Sequence, residues 1–239
     1  MRPEIVVDAR EDLARIAVER FEQMVGDAVA RHGRFACALP GGSVAETLFP
    51  GFARLRLPWE QVHVFFGDER AVAPSDPESN YGLARRLWLD AVAARVHAMP
   101  ADRDDLDAAA ESYAEDLRAT LGDPPRIDLM LLGVGPDGHV CSLFPGHALL
   151  RERRRWVASV TDSPKPPPRR LTLTLPVIAA ARAIWIGALD ATKAAVIAEA
   201  IENEHSQLPV ALAARSGPPT LFLLDHEAAS ALRGGGSAR

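Results

Sequence analysis

Along the chain, short apolar runs alternate with longer stretches in which apolar positions recur every three or four residues. The short runs, at Glu4 to Val7, Phe35 to Leu39, Val62 to Phe66, Ile127 to Leu132, Trp156 to Val160, Leu171 to Leu175, Ile184 to Ala188 and Leu221 to Leu224, have the length and composition of strands. After the first of them, Leu13, Ile16, Ala17, Phe21, Met24, Val25 and Ala28 form one face of a helix that Gly33 is placed to end, and Leu106 to Leu121 and Ala191 to Ile201 repeat the pattern. Strand followed by helix, repeated, predicts a mainly parallel sheet covered by helices on both faces and joined by right-handed crossovers. Most runs are apolar throughout, as strands buried on both faces require, whereas Leu171-Thr-Leu-Thr-Leu175 alternates and predicts an antiparallel edge with one less buried face. Ser163-Pro-Lys-Pro-Pro-Pro168 is too stiff for a helix or central strand and too short for an interdomain linker, so it predicts a rigid loop. One α/β domain over 1–233 is expected, followed by a disordered tail, Gly234-Gly-Gly-Ser-Ala-Arg239.

Composition narrows the partners. With 239 residues, 48% of them hydrophobic, the chain can fill one large core. A net charge of −5 gives no general basic field, which argues against nucleic acid and anionic membranes. There is no run of about eighteen apolar residues, and the amino terminus has no apolar stretch of signal-peptide length, so a cytoplasmic protein is expected. Cys37 and Cys141 make neither a disulfide framework nor a thiolate zinc site and read as packed thiols. The seven histidines include no ligand pair at helical spacing, so no metal is expected; nor is a cofactor or an obligatory protein partner.

Four segments at predicted carboxyl ends of strands carry chemistry. In Asp128-Leu-Met-Leu-Leu-Gly-Val-Gly-Pro-Asp-Gly-His139 an apolar strand empties into a glycine loop that places Asp137 and His139 at the crevice where open α/β sheets bind ligands. In Leu39-Pro-Gly-Gly-Ser43, followed by the helical run Val44 to Phe52, backbone amides and a hydroxyl meet at a positive helix end suited to phosphate; a turn with a serine cap is the plainer alternative. Phe66-Gly-Asp-Glu-Arg70 crowds two carboxylates and a guanidinium after a buried strand, which on its own reads as a solvated salt-bridge loop. Ala188-Leu-Asp-Ala-Thr-Lys193 opens a helix with a lysine within reach of an anion, although a lone lysine there is ordinarily a surface residue. Gly133-Val-Gly-Pro-Asp-Gly138 also matches a dinucleotide fingerprint, with Asp162 near the distance of a ribose-binding acid. Pro136 removes an amide, Asp137 sets a negative charge where a pyrophosphate would sit, and Pro145 interrupts the required helix. No Gly-x-Ser-x-Gly elbow is present, which removes the common serine-hydrolase reading.

Taken in order, Pro40-Gly-Gly-Ser43, Val64-Phe-Phe-Gly-Asp-Glu-Arg70 with Ser79-Asn-Tyr81, Gly133 to His139 through Ser142-Leu-Phe-Pro145, Ser163 to Pro168 through Leu171-Thr-Leu-Thr174, and Lys193 resemble the 6-phosphogluconolactonases. These belong to a sugar-phosphate group that includes the glucosamine-6-phosphate deaminases. The resemblance implies a Rossmann-like three-layer α/β/α fold and hydrolysis of 6-phospho-D-glucono-1,5-lactone, the second step of the oxidative pentose phosphate pathway. A deaminase typically has tyrosine where this chain has Arg70, and continues its histidine loop into Asn-Glu-Pro where this chain has Leu143-Phe-Pro145. A deaminase-like enzyme and a non-catalytic sugar-phosphate sensor are the alternatives; the presence of both His139 and Arg70 argues against the sensor. Departures from the usual lactonase pattern are Pro40 for serine, Val140-Cys141 for Thr-Ala, and Arg169 where glutamate often precedes Arg170.

On this resemblance His139 accepts a proton from water attacking C1, a role that an imidazole titrating near 6.5 can fill at neutral pH. Asp137 either pairs with His139 or orients the loop. The amides of Gly42 and Ser43, with Lys193 and Arg170, hold the phosphate. Arg70 serves phosphate or the oxyanion, and Asp68 binds sugar hydroxyls or a neighbouring cation.

Overall fold

The chain follows the predicted alternation and adds elements that periodicity does not announce. In the computed structural model, which describes residues 2–233, β1 (Glu4–Val7), α1 (Arg10–His32), β2 (Phe35–Leu39), α2 (Gly42–Phe52), β3 (Val62–Phe66) and β4 (Asp68–Arg70) lead into α3 (Asn80–Leu87) and β5 (Arg95–Val96). Then come α4 (Leu106–Leu121), β6 (Leu129–Gly133), β7 (Val157–Val160), β8 (Arg170–Leu173), α5 (Leu175–Ala180), β9 (Ile184–Ala188), α6 (Ala194–Glu202), α7 (Pro209–Ala214) and β10 (Thr220–Leu224). The expected tail from Gly234 lies outside the described residues. In α1 the buried positions are Leu13, Ala17, Phe21, Val25 and Ala28, the face the spacing predicts. Gly33 ends the helix at φ 78°, and its amide donates to the Val29 carbonyl at 2.8 Å.

Seven strands form one sheet in the order β1-β10-β9-β6-β2-β3-β5, every pairing parallel. From β2 the chain moves outward through β3 to β5, and from β6 it moves the other way through β9 to β10. The neighbours β2 and β6, with Cys37 opposite Leu129 and Ala38 opposite Met130, therefore mark the reversal of strand order, where ligands enter open α/β sheets beyond the strand carboxyl ends. An aromatic cluster packs α1 and α2 against the sheet: Phe21 stacks on Phe52 at 4.3 Å, and Trp88 meets Phe21, Phe49, Phe52 and Trp59 within 5.3–5.7 Å. Beside α4, His63 Nδ1 lies 3.0 Å from His97 Nε2, and His97 Nδ1 lies 2.8 Å from Asp116. Among the described residues no helix is long and apolar enough to cross a membrane.

Two local expectations are corrected. Asp68, Glu69 and Arg70 are not a loop but β4, which with β8 and β7 makes a separate three-stranded antiparallel sheet. The alternating Leu171–Leu175 run is not an exposed edge: β8 is the middle strand of that small sheet, buried along its length, and Leu175 already belongs to α5. Its threonines are polar without facing water. The Thr172 hydroxyl donates to the Leu173 carbonyl at 2.9 Å and accepts from the Ser142 amide at 3.1 Å, while the Thr174 hydroxyl donates to the Arg155 carbonyl at 2.5 Å. A hydroxyl satisfied by backbone is no marker of a wet face.

Candidate active site

At the carboxyl ends of β2, β3, β6 and β9 the structure has a pocket of about 240 Å³. Its lining includes Gly42, Ser43, Asp68, Arg70, His139, Arg170 and Lys193, residues far apart in sequence that the strand ends of the parallel sheet and the small antiparallel sheet bring together.

His139 follows β6 on a tight loop closed by backbone bonds from Gly135 N to His139 O (3.0 Å) and from Gly138 N to Gly135 O (2.8 Å). The loop folds the imidazole back over Gly135, where a Cβ would stand 2.0 Å from ring atoms Cε1 and Nδ1, so only glycine fits. Asp137 and His139 are in contact: Nδ1 lies 2.5 Å from Asp137 Oδ1. A carboxylate on Nδ1 holds the proton there and leaves Nε2 as the basic nitrogen. Phe144 packs on the ring with centroids 4.8 Å apart. Burial lowers the His139 pKa, which the hydrogen bond and charge of Asp137 oppose. Burial also raises Asp137, but His139 and Lys165 outweigh it and hold this carboxyl below its ordinary value.

Because β4 is a strand, its side chains alternate: Asp68 and Arg70 line the pocket, and Glu69 turns away toward α3. The Glu69 carboxylate accepts from the amides of Arg70 (2.8 Å), Asn80 (2.8 Å) and Tyr81 (2.7 Å) and from the Ser79 hydroxyl (3.0 Å). It thus anchors the amino end of α3 beneath the site. Asp68, 6% exposed, is no solvated salt-bridge residue. It accepts from Ser142 Oγ at 2.6 Å and Asn80 Nδ2 at 3.2 Å, with Arg170 at 3.8 Å.

Arg70 and Arg170 stand opposite each other in the β4–β8 register, and carboxylates offset the like charges: Glu78 lies 3.6 Å from Arg70 and Asp68 3.8 Å from Arg170. Their donors differ. Arg70 gives Nη1 to the Glu78 carbonyl at 2.5 Å, while its buried Nε has no partner among the described residues. The Arg170 donors are committed mainly to the proline loop, reaching the carbonyls of Pro167 (3.0 Å), Pro166 (3.0 Å) and Lys165 (3.3 Å). Arg170 lines the pocket, but these bonds make it chiefly the clamp of that loop.

On the other side, α2 begins at Gly42 with φ 66°, has no side-chain cap and carries no acidic residue in its first turn. Lys193 ends a 3₁₀ turn before α6, with its ammonium paired to Asp190. Burial would raise Asp190, but Lys193 and Thr192 hold it at about 2. Asp190 sits at φ 83°, fixed there by its amide bonded to the Asp225 carboxylate at 2.9 and 3.1 Å. Of the two cysteines, Cys37 is buried in β2 as expected, whereas Cys141 is part of the pocket wall. Asp162 pairs with His147 at 3.1 Å. Among the described residues no three His, Cys, Asp or Glu side chains converge as a metal site.

The family model for glucosamine-6-phosphate isomerases/6-phosphogluconolactonase matches residues 8–222. The chain belongs to this family. It is 40% identical to the 6-phosphogluconolactonase of Streptomyces coelicolor over 248 residues, covering 96% of this chain and 95% of that one. It is 41% identical to the Mycobacterium tuberculosis 6-phosphogluconolactonase, covering 92% and 94%. Among solved structures, 6-phosphogluconolactonase from Trypanosoma brucei superposes with a TM-score of 0.85 at 26% identity, covering 97% of this chain and 99% of that one. A monomeric glucosamine-6-phosphate deaminase, at TM-score 0.81 and 22% identity, shares the fold.

Proposed function

We propose that this chain hydrolyses 6-phospho-D-glucono-1,5-lactone to 6-phospho-D-gluconate, the second step of the oxidative pentose phosphate pathway, and does so in the cytoplasm. The observation that carries the reading is a single oriented base, His139, with Nδ1 fixed on Asp137 and its ring in a pocket that also holds Arg70, Lys193 and the open amino end of α2. An activated ester needs little more. Water bonded to Nε2 attacks C1 and gives its proton to the imidazole. The oxyanion then collapses, the bond from C1 to the ring oxygen breaks, and the imidazolium returns the proton to the departing hydroxyl. Asp137 keeps the tautomer and stabilises the imidazolium between those events.

The amides of Gly42 and Ser43 and the Lys193 ammonium hold the phosphate at the positive end of α2. Arg70 lines the same pocket, and its guanidinium offers charge-assisted donors to an anionic oxygen of the substrate. Asp68 receives sugar hydroxyls at the floor. Phe144 stands where a deaminase has the carboxylate that assists its ring-opening histidine, and no proton can pass through a phenyl ring.

The test is side-by-side: acid release from freshly made lactone, corrected for spontaneous opening, and ammonia release from glucosamine 6-phosphate. Lactone turnover without ammonia is expected. Ammonia without lactone turnover would make the chain a deaminase, and binding of 6-phosphogluconate with no turnover would make it a sensor.

A further inference from the structure

We propose that Lys165 is a positioning residue for this reaction: from the proline loop it shares the Asp137 carboxylate with His139 and keeps the imidazole in its neutral, proton-accepting form. The inference rests on His139 being the base, but its geometry stands alone. Lys165 Nζ lies 3.1 Å from Asp137 Oδ1, the same oxygen that takes His139 Nδ1, and 3.4 Å from Nδ1 itself. Neither Lys165 nor Asp137 lines the pocket, and the ammonium meets the imidazole at Nδ1, not at the proton-accepting Nε2.

A lysine side chain 36% exposed stays over one carboxylate oxygen only if its backbone is held, and here it is. Ser163 Oγ donates to the Lys165 carbonyl at 2.8 Å and accepts from the Lys165 amide at 3.2 Å, and Ser163 N donates to the Pro168 carbonyl at 3.1 Å. Three prolines fix φ on the carboxyl side, and the buried Arg170 guanidinium ties down three successive carbonyls. This gives the stiff Ser163–Pro168 segment and the Arg170 donors a purpose: they aim one cation at the catalytic pair.

The electrostatic consequence has a definite sign. Around the imidazole stand Asp137 on its own loop, Lys165 from the β7–β8 loop and Asp68 from β4, with Arg70, Arg170 and Lys193 in the same pocket. Asp137 and Asp68 favour protonation, whereas Lys165 opposes it directly and also by drawing on Asp137. Without the lysine, Asp137 would act on His139 undivided, and the base would remain protonated to higher pH.

Lys165→Met removes the charge and Lys165→Arg keeps it. The acid limb of the kcat/KM profile should move to higher pH in the Met variant, lowering activity roughly three- to tenfold at pH 6 and less than about twofold at pH 8.5. The Arg variant should follow the wild type, and affinity for 6-phosphogluconate should be unchanged in both. NMR titration of the labelled His139 ring, which needs no turnover, should show the same upward displacement and reports on Lys165 even if another residue proves to be the base. An unmoved or downward-moved His139 titration in a folded Met variant would overturn the proposal. So would a fall in 6-phosphogluconate affinity with the acid limb in place, which would make Lys165 a substrate contact.

Discussion

Replacing Gly135 by alanine tests how strictly the chemistry depends on the placement of one ring. The added methyl would stand 2.0 Å from His139 Cε1 and Nδ1 and 2.7 Å from Asp137 Oδ1. An ordinary carbon contact is about 3.5 Å, so the ring must retreat by about 1.5 Å or swing off the carboxylate. Gly135 has no left-handed φ, so alanine brings no backbone strain and the effect falls on the imidazole. A misplacement of about 1 Å in a catalytic group costs on the order of 10²-fold, and the displacement here is larger. Gly135→Ala should therefore lower kcat at least about 10²-fold, with the melting temperature and the affinity for 6-phosphogluconate little changed, since Gly42, Ser43 and Lys193 lie on other segments. The assay is initial acid release from freshly prepared lactone in a pH-stat, less the uncatalysed rate. A kcat within about threefold of wild type would refute the reasoning that His139 must sit where Gly135 lets it sit.

Lys193→Ala should weaken 6-phosphogluconate binding roughly tenfold, near the lower end for a charge-assisted bond because Asp190 already shares the ammonium; calorimetry showing equal affinity would make it an ordinary surface lysine. His63 carries a pH-dependent share of stability, because burial first and the adjacent His97 second push its pKa down to about 4. The unfolded chain then binds more protons between about pH 6.5 and 4, so this stability is present above 6.5 and is lost as pH falls through that window. His63→Gln should show a smaller drop in melting temperature between pH 7.5 and 4.5 than the wild type, and equal drops would contradict the assignment.

The parallel sheet, the face of α1 and the strand-end loops were legible because each rests on local periodicity or on glycines that punctuate it. What escaped was decided by distant partners. β4 is a strand because β8 pairs with it a hundred residues later, and no three-residue run of Asp, Glu and Arg announces that. The same pairing sends Glu69 away from the pocket, a division invisible in the motif. Ser142, Asn80 and Lys165 stood inside quoted motifs, but their roles depend on contacts with Asp68 and Asp137 that only folding creates. For Lys165 the available signal was one cation flanked by prolines, a combination that fixes a side chain in space and is needless in an ordinary loop.

The account turns on His139 as the base, and the kcat of His139→Ala tests it most directly. With the uncatalysed rate subtracted and 6-phosphogluconate affinity confirmed as unchanged, kcat should fall by roughly 10²- to 10⁴-fold, the contribution of a positioned general base. A folded, ligand-binding His139→Ala protein that turns over lactone within about threefold of wild type would contradict the mechanism and leave Asp137 and Lys165 with no base to orient or tune.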